Sequence, residues 1–207
     1  MKASDSRRGR PRDPERVKRV VDAATRQFRE NGFERTSVDA IAKLSGVSKV
    51  TIYSYFPTKE ALFEAAVGSC TDEVFASLPP GTLDPSDPEV GLTLIGKAFL
   101  KLTRSDDIVR SFRLMFAAAD DHKAACEAFY RQGPEKLVGQ VENYLRAAAG
   151  AGSLSIGNPG EAADQFLSLF LGNAHIRVML GLGKPKTSED NRLVRANVEL
   201  FLRAYAK

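Results

Sequence analysis

The 207-residue sequence predicts an all-α fold: an N-terminal three-helix domain containing a helix-turn-helix, then a larger helical domain. Three observations carry that prediction. Apolar residues recur at helical spacing along almost the whole chain, and no stretch alternates as a half-buried strand would. Clusters of proline and glycine separate the periodic runs. The stretch SGVSKVTIYSYF, residues 45–56, sets a glycine turn between two short apolar runs, which is the spacing of a helix-turn-helix.

The elements follow in order. Asp13-Pro14 reads as an N-cap followed by proline at the first helical position. Val17, Val20, Val21, Ala24 and Phe28 then repeat at helical spacing, and ENGF ends this helix at Gly32. Thr36 and Asp39 fit a capping box for a second helix that buries Val38, Ile41 and Ala42. Gly46 stops it, Ser48 caps a third helix running to about Tyr55, and Pro57-Thr58 restarts the chain. Leu62, Phe63, Ala66 and Val67 mark a longer fourth helix, and SLPPGTLDPSDPE, with prolines at 79, 80, 85 and 88, is a linker. Helical patterns return over residues 90–102, 108–119 and 122–149. Asn158, Pro159 and Glu161 then open a strongly apolar helix expected to run through Leu182. A last helix carries Leu193, Val194, Val198, Phe201, Leu202 and Tyr205. The expected division is a flexible basic arm over 1–12, the helix-turn-helix domain over 13–57, a connecting helix over 58–78 and a helical domain over 79–207.

Charge is unevenly placed. Residues 1–60 hold 14 Lys/Arg against 8 Asp/Glu, and the remainder hold 16 against 18. A basic front end points to a polyanionic partner. Cys70 and Cys126 have no paired spacing, no secretory signal is apparent and no window reads as a membrane span, so a cytoplasmic protein is expected. No Gly-rich phosphate loop, G-x-S-x-G or H-E-x-x-H is present, so neither an enzyme nor a cofactor is expected. His122 and Cys126 lie four apart, but no further ligand completes a metal site.

The third helix divides its labour. Val47 and Ile52 turn inward, leaving Ser48, Lys49, Thr51, Tyr53 and Tyr55 outside. Lysine neutralises phosphate, and hydroxyls reach phosphate oxygens or base edges. The arm Arg7-Arg8-Gly9-Arg10-Pro11-Arg12 suits the negative potential of a minor groove; a solvated tail is the alternative. GFERTSVDAIAKLSGVSKVTIYSYFPTKEALF, residues 32–63, resembles the DNA-binding signature of TetR-family transcriptional regulators, and the segments AFYRQGPEKL and YLRAAAGAGSLSIGNPGEAADQFLSLFLG resemble the C-terminal domain of AefR-like members. The resemblance implies DNA contacts at Thr36, Ser37, Lys49, Val50, Thr51, Tyr53, Tyr55 and Lys59; Ser48, and Arg8, Arg10 and Arg12 on the arm, are added by their own chemistry. Valine at position 50 limits readout there to apolar contact.

The resemblance further implies double-stranded operator DNA as partner, a small-molecule effector and dimerisation. The penultimate helix is apolar on more than one face, which points to a homodimer formed through the last two helices; a monomer with a two-sided core is the alternative. A repressor is the expected mode; an activator, or a non-specific architectural DNA-binding protein, is the alternative. Candidate pocket residues are Phe99, Phe112, Arg113, Met115, Phe116, Phe129, Tyr130, Phe166 and Phe170, with plain core packing open for each. Asn173, His175 and Arg177 interrupt an apolar helix. They fit either pocket groups, Asn173 and Arg177 above all, or a polar edge beside a subunit interface.

Deleting residues 1–12 is expected to flatten the dependence of log affinity on log salt by roughly 0.9 for each phosphate the arm neutralises. Titrations of full-length and truncated protein at several salt concentrations check this, and an unchanged slope marks the arm as passive.

Overall fold

The computed structural model describes residues 13–206, and in them every regular element is helical. Four helices form the N-terminal part: α1 (Pro14–Arg35), α2 (Val38–Ser45), α3 (Lys49–Tyr55) and α4 (Lys59–Ala76). After the 77–87 linker come α5 (Pro88–Thr103), α6 (Asp106–Ala117), α7 (Lys123–Tyr130) and α8 (Lys136–Gly150). The chain ends with α9 (Pro159–Ser168), α10 (Asn173–Met179) and α11 (Thr187–Tyr205).

The local signals explain most boundaries. The Asp13 carboxylate accepts from the amides of Glu15 and Arg16, and Ser48, Thr58 and Asn158 cap α3, α4 and α9 in the same manner. Such caps satisfy amide groups that the helix itself leaves unpaired. Gly46 takes a left-handed conformation, φ 67°, and its amide closes onto Ala42. At Gly32 the backbone leaves helical geometry, φ 76° and ψ 177°, which turns the last few residues of α1.

Three sequence expectations are corrected. Thr36 does not cap α2. Ser37 does, accepting from the Ala40 amide, while Thr36 is buried and donates to the carbonyls of Gln27 and Gly32 at 3.0 and 2.7 Å. Two adjacent hydroxyl residues compete for the cap, and the one facing the core is taken by the end of α1. The helix expected over 122–149 carries a π-helical turn at Arg131–Glu135, because Pro134 has no amide to donate. The Gln132 carbonyl in this turn accepts from the Thr71 hydroxyl at 2.7 Å, fastening the turn to α4. The apolar helix expected to run through Leu182 breaks between α9 and α10. Gly172 is extended there, and the Leu169 carbonyl accepts from the buried Asn197 amide at 3.0 Å.

The apolar interior forms two clusters. One joins α5, α8, α9 and α11 around Leu92, Leu145, Phe166, Phe170 and Phe201. The other joins α1 to α4 around Val20, Ile41, Ile52 and Leu62, and it also takes in Met115 of α6 with Ala125 and Ala128 of α7. The core of the N-terminal helices is therefore completed by the following domain. The linker is held down by Tyr144 of α8, whose hydroxyl donates to the Asp84 carbonyl at 3.2 Å. Burial of this phenol, with Asp87 and Asp84 nearby, pushes its pKa up to about 12.

Gly91 on α5 leaves room for that ring, and a Cβ there would overlap the Tyr144 hydroxyl. Gly91→Ala is therefore expected to cost about 1–3 kcal/mol of stability. Gly139→Ala on α8, where nothing stands within 4 Å of a new Cβ, is expected to gain about 0.5–1 kcal/mol. Denaturant melts of both variants check the opposite signs.

Candidate DNA-binding face and buried cavity

The helix-turn-helix presents α3 as a short, firmly placed element. Val47 and Ile52 are buried under it. The Ser48 hydroxyl accepts from the Thr51 amide and lies 2.9 Å from the Thr51 hydroxyl, so both groups set the helix start. Lys49, Val50 and Tyr53 stand outward, Val50 being 81% and Tyr53 41% exposed. Thr51 and Tyr55 are half-buried, while Ser37 and Ser48 are exposed.

Two lysines are engaged within the protein. Lys49 Nζ lies 2.8 Å from Asp39 Oδ2, and this hydrogen-bonded ion pair raises the lysine pKa. The pair ties the first turn of α3 to the first turn of α2. It is exposed, so its contribution to stability is small. Lys59 Nζ donates to the Glu34 carbonyl at 2.9 Å and sits 4.6 Å from the centre of the Phe33 ring. Partial burial lowers its pKa, with Glu60 and Glu34 acting against that shift. Lys59 thus fastens α4 to the end of α1. Thr36, 2% exposed, is removed from the outer face altogether. Arg8, Arg10 and Arg12 lie outside the described residues.

Between the N-terminal helices and the following domain lies a cavity of about 300 Å³. Its wall is aromatic and crosses from one domain to the other. Phe28 and Phe33 of α1 meet Phe63 of α4 edge-on at 5.0 and 5.2 Å. Phe63 stacks on Phe129 of α7 at 6.4 Å, and Phe129 meets Phe112 of α6 at 4.9 Å. All five rings line the cavity, as do Phe99, Met115 and Phe116. Phe116 is 68% exposed and marks an opening.

Several expected pocket residues lie elsewhere. Phe166 and Phe170 are fully buried and pack on each other and on Phe201 and Phe99. Arg113 donates to the carbonyls of Met179 and Val178 at 2.7 and 2.6 Å, and so finishes α10. Arg177 donates to the Leu182 carbonyl, and Tyr130 and Asn173 are exposed away from the cavity lining. His122 precedes α7 with its ring 5.9 Å from Phe33, and the Cys126 thiol faces the Met115 carbonyl at 3.7 Å. Among the described residues no group of three or more His, Cys, Asp or Glu is placed to hold a metal ion.

Sequence reasoning weighed His175 as a pocket group but missed the cavity's other polar members, which include Arg29, Thr71, Thr103, Ser111 and Asp164. Arg29 pairs with Asp107 at 3.2 Å, linking α1 to α6, and lies 4.0 Å from the Cys70 sulfur. Burial pushes the Cys70 thiol up, against the opposing charge of Arg29. Burial also lowers the His175 pKa, helped by the charge of Arg104. The available signal for His175 was its interruption of an otherwise apolar run.

Residues 90–207 match the family model described as the AefR-like transcriptional repressor C-terminal domain, and residues 20–66 match the bacterial regulatory proteins of the tetR family. The chain belongs to the TetR family of transcriptional regulators. The solved structure of the flavonoid-responsive regulator FrrA is 32% identical, with a TM-score of 0.73, covering 94% of this chain and 98% of that one. The repressor KstR of Mycolicibacterium smegmatis is 28% identical over 164 residues, which are 79% of this chain and 74% of KstR. The regulator YhgD of Bacillus subtilis is 41% identical over 64 residues, and the chain spans only 29% of its length. TetR-family regulators bind operator DNA and dimerise, and most are repressors rather than enzymes. No helix among the described residues is long and apolar enough to cross a membrane.

Thr36→Val is expected to cost about 1–3 kcal/mol of stability by leaving two inward carbonyls without their donor. Urea denaturation measures it; unaltered stability would mean that the inward bonds of this hydroxyl add nothing to the fold.

Proposed function

We propose that the chain is a repressor that holds its operator as a homodimer and releases it when a small apolar molecule enters the cavity. The observation that carries this reading is the shared wall. Phe28, Phe33 and Phe63 belong to the core of the DNA-binding helices and also line the cavity. A ligand that fits one placement of α1 and α4 better than another biases the position of α3, and differential affinity for two states is what ligand control requires. The names of KstR, a repressor, and FrrA, a flavonoid-responsive regulator, agree with this mode.

On the DNA side the reading assigns Lys49 to phosphate, Val50 to an apolar contact with a base, and Tyr53 to the backbone or a base edge, with Thr51, Tyr55, Ser37 and Ser48 beside them. Lys49 exchanges its Asp39 partner for phosphate, or shares it. The two copies of α3 would enter successive major grooves roughly 34 Å apart on a near-palindromic site. For the dimer, the surface around α10 offers Leu171, Ile176, Leu180 and Leu182, all exposed and apolar, and α11 adds Leu200. These residues fall within the two segments expected to form the contact, although the first of them is broken into α9, α10 and the loop that follows.

The test is a footprint on the DNA flanking the protein's own gene, with non-specific competitor present. A protected, near-symmetric patch is expected, and uniform coating would instead favour an architectural protein. On that site Tyr53→Ala and Lys49→Ala are each expected to weaken binding roughly ten-fold, in line with about 1–3 kcal/mol for a good contact, without lowering Tm. Unchanged affinity in both variants would contradict the assignment of α3.

A further inference from the structure

We infer that Asp39 is a specificity-determining residue of the DNA-binding face, its carboxylate accepting a hydrogen bond from the N4 amino group of one cytosine in each half of the operator. This deepens the assignment of α3 above and rests on it.

Between Thr36 and Pro57 the sequence holds one acid, Asp39, against Lys43 and Lys49. A carboxylate on a surface that meets phosphates needs a reason, because the backbone of every duplex repels it alike. Capping is not that reason, since Ser37 accepts from the Ala40 amide at the start of α2. Stability is not the reason either. The Asp39 side chain is 71% exposed, and an ion pair so open to water adds little. The first turn of α2 favours an acid only slightly at such exposure.

Its position supplies the reason. Asp39 Oδ2 lies 2.8 Å from Nζ of Lys49, the first residue of α3. The N-terminal residues of a recognition helix are the ones that meet base edges. The Asp39 carboxylate therefore stands at the base-reading end of α3, although α2 carries it. Lys49 engages one carboxylate oxygen, so Oδ1 keeps its lone pairs, and both oxygens are released when Lys49 turns to phosphate. An acceptor in the major groove needs a donor there, and only the amino groups of cytosine and adenine donate. Adenine N6 is flanked by its own N7 and by O4 of the paired thymine, and both repel a carboxylate. Cytosine N4 has an acceptor on one side only, guanine O6. At guanine or thymine the carboxylate faces acceptors or a methyl group. Asp39 thus favours one base and disfavours the rest, and specificity is commonly built from such repulsion.

The test selects binding sites from a library of random duplexes with the full chain, as wild type, Asp39→Ala and Asp39→Asn. The wild type is expected to enrich a near-symmetric site with a fixed cytosine in each half. Replacing that C·G pair by T·A should weaken its binding about ten-fold. In Asp39→Ala the same replacement should cost less than about two-fold, while the other positions of the site keep their penalties. In Asp39→Asn the preferred base should change to adenine, because an amide both accepts from N6 and donates to N7. A residue that merely steadied Lys49 would, when replaced, weaken binding to all sequences alike. That result, or an unchanged site in both variants, would overturn the inference and leave the regulator reading standing. A wild-type protein that enriches no sequence would overturn both.

Discussion

Phe63 stands between two domains. On one side it meets Phe28 and Phe33 of α1, and on the other it stacks on Phe129, which continues to Phe112. The rest of the arrangement depends on this run of rings. The N-terminal helices do not close their apolar core alone, and Met115, Ala125 and Ala128 complete it. Aromatic rings in edge and stacked contact resist small displacements, because interiors are densely packed. The placement of α1 and α4 is thereby tied to the shape of the cavity.

The second constraint lies where α1 ends. Gly32 leaves helical geometry at φ 76°, and a Cβ there would stand 3.0 Å from Leu114 of α6. Thr36 closes the turn from within, while Lys59 closes it from α4 by binding the Glu34 carbonyl. Thr36 folds the end of α1 back on α1 itself, while Gly32 and Glu34 join it to α6 and α4. The start of α2 is fixed from the same point through the Ser37 cap, and α3 follows through Gly46 and Ser48. A shift of α1 against α6 would therefore be carried to the outward face of α3 with few soft joints between.

The all-helical architecture is legible in the sequence because its signals are local. Asp13-Pro14, Ser48 and Asn158-Pro159 announce helix starts within three or four residues, and Gly46 announces a stop. Thr36 misleads because two neighbouring hydroxyl residues both fit a cap, and only the packing of α1 decides between them. The break between α9 and α10 is hidden because its stabilising partner, Asn197, comes from α11. The inward pattern of α3 is readable from Val47 and Ile52, whereas the pairing of Lys49 with Asp39 is not. The cavity is the least readable feature. Phe99, Phe112, Met115, Phe116 and Phe129 stand out as candidates, but Phe166 and Phe170 look the same in sequence and belong to the core. Composition cannot tell a lining phenylalanine from a packed one, since the difference lies in which distant residue faces it.

The proposed coupling joins occupancy of the cavity to grip on DNA through the shared wall. The most direct measurement is the operator dissociation constant of the full chain, with and without a saturating compound proven to occupy the cavity by its failure to bind a Phe129 variant. Coupling through the wall predicts a weakening of at least about five-fold, the lower end of common coupling between sites. Unchanged operator affinity at proven occupancy would contradict it, whatever the ligand's chemistry.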